Sequence, residues 1–214
     1  MAERIRFTKI DESNILDHSK LAEGDNCLFL YEYTPGGGFG VSRTNDLIIN
    51  LKKRPSERLT KGGWQYKAWA INQCVTALQQ ALNPEWLKVA TLVPVPSSKI
   101  PGDPDFDDRL EQVCRGLSTA VDVRSVVRQK VSTGRSHEAA PGARLSVQDL
   151  RNVYEINEQL VVPPPRQIGI FDDVLTEGTH FRAMSDILKQ RFPGVPITGI
   201  FIARCVWAKP DFDF

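Results

Sequence analysis

A chain of 214 residues, 41% hydrophobic and 25% charged, can bury one substantial core and a small appendage, but not two full catalytic domains. With 27 basic against 26 acidic side chains the formal charge is +1, which excludes a global field drawing the molecule onto DNA or an anionic membrane, so any polyanion site must be local. The four cysteines, Cys27, Cys74, Cys114 and Cys205, form no CxxC pair and have no histidine at zinc-ligand spacing, and buried free thiols are expected.

The first residues carry no apolar h-region, and no later run approaches the ~20 apolar residues of a membrane span, so a cytoplasmic location is expected. Residues 1 to 24 show no sustained period and read as an arm or a short capping element. From Cys27 to Leu51, CLFLYEY and DLIINL flank the turn-rich TPGGGFG, which predicts a β-hairpin. No Lys-Ser/Thr follows those glycines, so they read as a hairpin tip, not a phosphate loop. Arm and hairpin together form an expected unit over 1 to 60, ahead of a main domain over 61 to 214.

Trp64, Ala68, Ile71, Val75, Leu78 and Leu82 recur at steps of three and four and draw one apolar stripe down a helix, with Pro84 just beyond it. Short apolar runs follow at 89 to 95, 123 to 127, 168 to 173 and 197 to 203. Helical patterns near 107 to 120 and 180 to 192 separate them. Continuously apolar strands alternating with amphipathic helices predict an α/β domain with a doubly wound parallel sheet covered on both faces. Residues 128 to 165 are too long for a bare connection, and helical propensity around Ser146 to Leu150 gives them some structure.

In such a sheet, ligands sit beyond the carboxyl ends of the strands. Asp172 and Asp173 end the run IGIFDD, where unpaired charge is costly and a partner is needed. A ribose diol or a magnesium ion would satisfy them. Thr176, Glu177, Gly178, Thr179 and His180 then turn into a helix N-terminus, whose amides and dipole favour a phosphate. Diol and phosphate on one segment describe a ribose 5-phosphate. The segment also reads as a tight strand-helix turn with solvated acids.

That segment resembles the phosphoribosyl pyrophosphate signature of the type I phosphoribosyltransferases. The resemblance implies that Asp172 and Asp173 hold the ribose hydroxyls, and through them a ribose-bound Mg²⁺, while residues 176 to 180 cradle the 5-phosphate. LVPVPSSK at 92 to 99 is similar to the ComF-like branch of that family, which implies a pyrophosphate loop at Ser97, Ser98 and Lys99; alone it reads equally as a Pro-rich turn. The same branch has a basic residue after the next strand, a mobile loop and an Asn-Val-aromatic region. By that likeness Arg128, Lys130, Arg135 and His137 close over the diphosphate as a lid, or else merely keep a loop solvated.

The resemblance covers roughly residues 85 to 206 and departs from the family twice. The cysteine cluster at the start of many ComF-like proteins is absent, and the phosphate loop carries Glu177 and His180 where hydroxyl residues are usual. A carboxylate ~5 Å from a phosphate repels it by about 3 kcal/mol at an effective dielectric of 20. Turning Glu177 to solvent, or protonating His180, would relieve that cost. The implied activity is transfer of phosphoribosyl to a nitrogen acceptor with release of pyrophosphate, with phosphoribosyl pyrophosphate and Mg²⁺ as co-substrate and metal. The alternatives are a non-catalytic sensor of such a nucleotide and an accessory or effector subunit of a bacterial multiprotein system such as antiphage defence. A protein partner could dock on the tail VWAKPDFDF, which also reads as a strand extension. A homodimer is open; nucleic acid as a partner is disfavoured by the charge.

Overall fold

The computed structural model describes residues 5–134 and 145–207. Eight strands and six α-helices follow in chain order: β1 (Thr8–Lys9), β2 (Asn26–Tyr33), α1 (Arg43–Leu51), α2 (Gln65–Ala81), α3 (Pro84–Leu87), β3 (Ala90–Pro94), α4 (Arg109–Gly116), β4 (Asp122–Val123), β5 (Val127–Gln129), α5 (Val147–Val153), β6 (Tyr154–Ile156), β7 (Gln167–Leu175), α6 (Thr179–Arg191) and β8 (Ile197–Cys205). Six strands form one sheet in the order β1-β2-β8-β7-β3-β4, and β5 with β6 forms a separate antiparallel pair. Only β1 runs antiparallel to its neighbour in the large sheet; the other ladders are parallel. Helices α1, α2 and α4 pack in sequence on one another, as do α5 and α6. The arrangement is a mostly parallel α/β sheet compatible with a doubly wound fold.

The interior follows from the apolar runs. Every residue of β3 is buried, as are Ile168, Ile170, Phe171, Val174 and Leu175 of β7, and they join one continuous core that reaches from Ile10 to Cys205. All four thiols lie inside it as free cysteines, and burial pushes those of Cys27 and Cys74 up to about 12. Helix α6 buries Phe181, Met184 and Leu188 at helical spacing, as predicted. Ser146 and Asp149 form a reciprocal capping box that starts α5 inside the long segment. Among the described residues no helix is long and apolar enough to cross a membrane.

Three expectations need correction. The hairpin over 27 to 51 does not form: β2 enters the large sheet parallel to β8, and DLIINL belongs to α1. The reason lies at Ser42, whose Oγ accepts the Asn45 amide at 3.0 Å and caps the helix. Fully buried Asn45 then takes the Thr34 amide at 3.2 Å and donates to the Thr34 carbonyl at 2.9 Å, tying the glycine turn to the helix start. Residues before 60 thus share the core of the rest. The stripe on α2 is wider than the pattern shows: Leu78 and Leu82 are buried and Ile71 and Val75 pack against the core as expected, but Lys67, Ala70, Cys74 and Ala77 are buried as well, while Ala68 is exposed. Small residues there let the helices approach, and a Cβ on Gly116 of α4 would meet Val75 at 2.7 Å. The run at 123 to 127 is also split, its start serving as edge strand β4 and its end opening β5.

Candidate functional site

From β3 the chain crosses to β4 on one side and returns as β7 on the other, so the strand order reverses between β3 and β7. Ligand crevices form at such a switch point because the connections leave in opposite directions there. A cleft of about 420 Å³ lies at that place, lined by residues after β3 and by the end of β7. It brings together Ser97, Ser98, Asp172, Asp173, Thr176, Glu177, Thr179 and His180. Gly178, at φ 88°, caps α6 between Glu177 and Thr179. Lys99, Arg128 and Lys130 are not in this cleft; they line an adjoining one of about 440 Å³ beyond the Val95–Ser97 wall that the two share. Arg128 pairs with Glu155 at 2.7 Å. Arg135 and His137 lie outside the described residues, as do positions 208 to 214 of the tail.

The two aspartates, adjacent on a strand, belong to opposite faces of it. Asp173 is 3% exposed, and its partners are internal: Lys52 Nζ at 3.0 Å and the Arg109 guanidinium at 2.6 and 3.1 Å. The expectation that a ligand must satisfy this acid is therefore corrected. Arg109 also donates to Asp107 at 3.0 Å, and Asp107 accepts from Lys67 at 2.9 Å. Lys67 donates further to the carbonyls of Leu51 and Lys53, at 2.7 and 2.9 Å, closing the end of α1. Burial alone would raise the Asp173 carboxyl, but Lys52 and Arg109 outweigh it and hold it below the ordinary carboxylate range. Burial, then repulsion from Asp173, pushes the Asp172 carboxyl up to about 7. Asp172 is the acid of the pair that the ion network leaves for a ligand.

His180 donates or accepts at Nδ1 with the Tyr154 hydroxyl at 2.8 Å. Burial, aided by Lys52 and Arg109 and opposed by Asp173, lowers it to about 4, so the ring is neutral at pH 7 unless an anion binds beside it. Glu177 is exposed and lines the same cleft, so its carboxylate stays within reach of solvent. Ser97 Oγ accepts the amides of Lys99 and Asp107 at 3.2 and 3.3 Å, which leaves its own proton to donate. The Ser98 carbonyl takes the Thr133 amide and the Gln129 side chain, both at 2.8 Å, so the segment after β5 is tied to the turn after β3.

Sequence reasoning missed Lys20, Lys52, Asp107 and Arg109, all of which line the first cleft. Lys52 directly follows a run with strand-like composition, and Lys20 lies in an arm without periodicity. Arg109 had a signal, because an acidic pair followed by Arg at a helix start places a cation beside carboxylates. Among the described residues no group of three or more His, Cys, Asp or Glu side chains is placed to hold a metal ion. With Asp107 and Asp173 committed to cations, a Mg²⁺ beside the end of β7 would be held through Asp172 and would take most of its oxygens from water and substrate, as this ion commonly does. No protein-family model matches the chain, and a search of curated proteins finds no relative.

Proposed function

We propose that the protein binds phosphoribosyl pyrophosphate or a ribose 5-phosphate nucleotide with Mg²⁺, in the manner of a type I phosphoribosyltransferase, and transfers the phosphoribosyl group to a nitrogen acceptor with release of pyrophosphate. The observation that carries this reading is the cleft at the β3/β7 switch point, which Asp172, the start of α6 and the serines after β3 line together. Asp172 offers acceptor oxygens to a ribose diol. The turn at 176 to 180 offers helix-start amides to a 5-phosphate. Ser97, as a donor, and Ser98 suit the leaving diphosphate, while Lys99 lies on the adjoining cleft. Mg²⁺, held through Asp172, would supply charge neutralisation to that leaving group. Fixed charges of this kind stabilise an oxocarbenium-like centre without a protein nucleophile.

One observation favours a second reading, a sensor without turnover: Asp173 is occupied by Lys52 and Arg109, so a single acid faces the sugar. Two measurements separate the two. Calorimetric titration with phosphoribosyl pyrophosphate and Mg²⁺ tests binding, and pyrophosphate release across a panel of purine, pyrimidine and pyridine bases tests transfer. Binding with release supports the enzyme. Binding with no release from any base supports the sensor, and absence of binding removes both.

A further inference from the structure

The phosphosugar reading gives no role to the segment from His18 to Asp25, which precedes β2 and lies against the loop at 176 to 178. The His18 side chain is fully buried, and its Nδ1 hydrogen-bonds the Thr176 carbonyl. The Lys20 amide donates to the Glu177 carbonyl at 2.8 Å. Leu21 sits against Gly178 so closely that a Cβ there would come within 2.8 Å of it. Arg182, in the first turn of α6, donates to the Lys20 carbonyl at 3.1 Å and pairs with Asp25. The backbone of Lys20 is thereby fixed to both the loop and the helix, while its exposed side chain lines the cleft with Thr176, Glu177 and Thr179.

Two consequences follow from peptide geometry and charge. In a trans peptide the amide of one residue points opposite to the carbonyl of the residue before it. With the Thr176 and Glu177 carbonyls turned to the strap, the amides of Glu177 and Gly178 face away from it. Lys20 meanwhile adds a positive charge where the loop itself carries a carboxylate and a neutral imidazole. A backbone already ordered loses little further entropy when its side chain engages a ligand.

We infer that residues 18 to 25 are a strap that completes the phosphate subsite: it orients the loop amides and delivers Lys20 as the cation that binds the 5-phosphate. The inference rests on the phosphosugar reading and adds a residue to it. The test is calorimetric titration of ribose 5-phosphate into the full chain, comparing wild type with Lys20→Ala and Lys20→Arg, with a thermal melt of each protein without ligand. Lys20→Ala is expected to raise Kd about tenfold, and Lys20→Arg to stay within about threefold of wild type, because charge and not shape is at stake. If Lys20→Ala binds within twofold of wild type, the strap has no phosphate role while the phosphosugar reading stands. If Lys20→Arg loses as much as Lys20→Ala, the contribution is structural and the inference fails, whatever the melts show. A wild-type protein that binds no ribose 5-phosphate overturns both.

Discussion

Asp173→Asn separates a ligand-binding acid from a structural one. The substitution keeps the side chain's shape but replaces a carboxylate bonded to Lys52 at 3.0 Å and to Arg109 at 2.6 and 3.1 Å with a group that offers one acceptor and one misplaced donor. Breaking a buried ion pair from one side costs about 3–5 kcal/mol, because the remaining cations stay desolvated. For a domain of this size each kcal/mol lowers Tm by about 2–4 °C, so a loss of roughly 6–20 °C is expected by calorimetry or circular dichroism. The double variant Lys52→Met with Asp173→Asn should lose less than the sum of the two singles, since the stranded ammonium is removed with its partner. The pH dependence is equally specific. Because the Asp173 carboxyl is held below its ordinary 3.8, its own stabilisation is complete above that pH and lost only as pH falls through the depressed value; the substitution also removes its repulsion of Asp172, so the deficit of the variant should be largest near pH 5 and shrink toward pH 8. A Tm within 2 °C of wild type would place the pair in the class of solvent-exposed ion pairs worth about 0–1 kcal/mol, and would refute the network as a structural hub.

Asp172→Asn should behave oppositely. The native carboxyl keeps its proton up to about 7 whereas the unfolded chain releases it near 3.8, so wild-type stability declines as pH rises between those values. Asparagine mimics the protonated form and can keep the acceptor that Asp172 Oδ1 offers to the Asp173 amide at 2.8 Å, so the variant should melt a few degrees above wild type at pH 8 and lose most of that advantage by pH 5, while binding ribose 5-phosphate at least tenfold more weakly at pH 8. A parallel pair of melting curves across that range would remove Asp172 as a strained acid. Gly178→Ala meets both a φ of 88° and Leu21 at 2.8 Å, so it should cost about 1–2 kcal/mol and accelerate hydrogen exchange at Lys20 and Leu21; exchange at the wild-type rate would show the strap to be indifferent to the loop.

The legible parts of the molecule are those in which local chemistry and tertiary placement agree. Runs such as IGIFDD and ITGIFIA are apolar on both faces, and only a covered parallel strand uses them that way, so β7 and β8 could be read directly. The end of β7 and the start of α6 were legible for the same reason, since a strand, a Gly-centred turn and a helical stripe stand in one stretch. What could not be read depends on side chains far apart in the chain. DLIINL has strand-like composition and becomes helical through the Ser42 cap and the buried Asn45 contact to Thr34. The inward face of α2 carries a lysine because α1 ends above it with open carbonyls, a circumstance invisible from the α2 pattern alone. Asp173 looked like a ligand acid for want of the cations that reach it from positions 52 and 109.

The parallel pairing of β2 with β8 has a bearing on how the chain reaches its native state. Asn26 bonds Thr198 at 2.9 Å across 172 residues, so a strand made early waits for one made late. At translation rates of about 5–20 residues per second the wait is roughly 10–30 s, during which NCLFLYEY has only two-residue β1 as a sheet partner. Long-range parallel ladders are slow to close and leave unpaired edges that template aggregation. Nascent chains of this protein are thus most vulnerable before residue 205 has left the ribosome, and a chaperone that shelters β2 would be of most use in that interval.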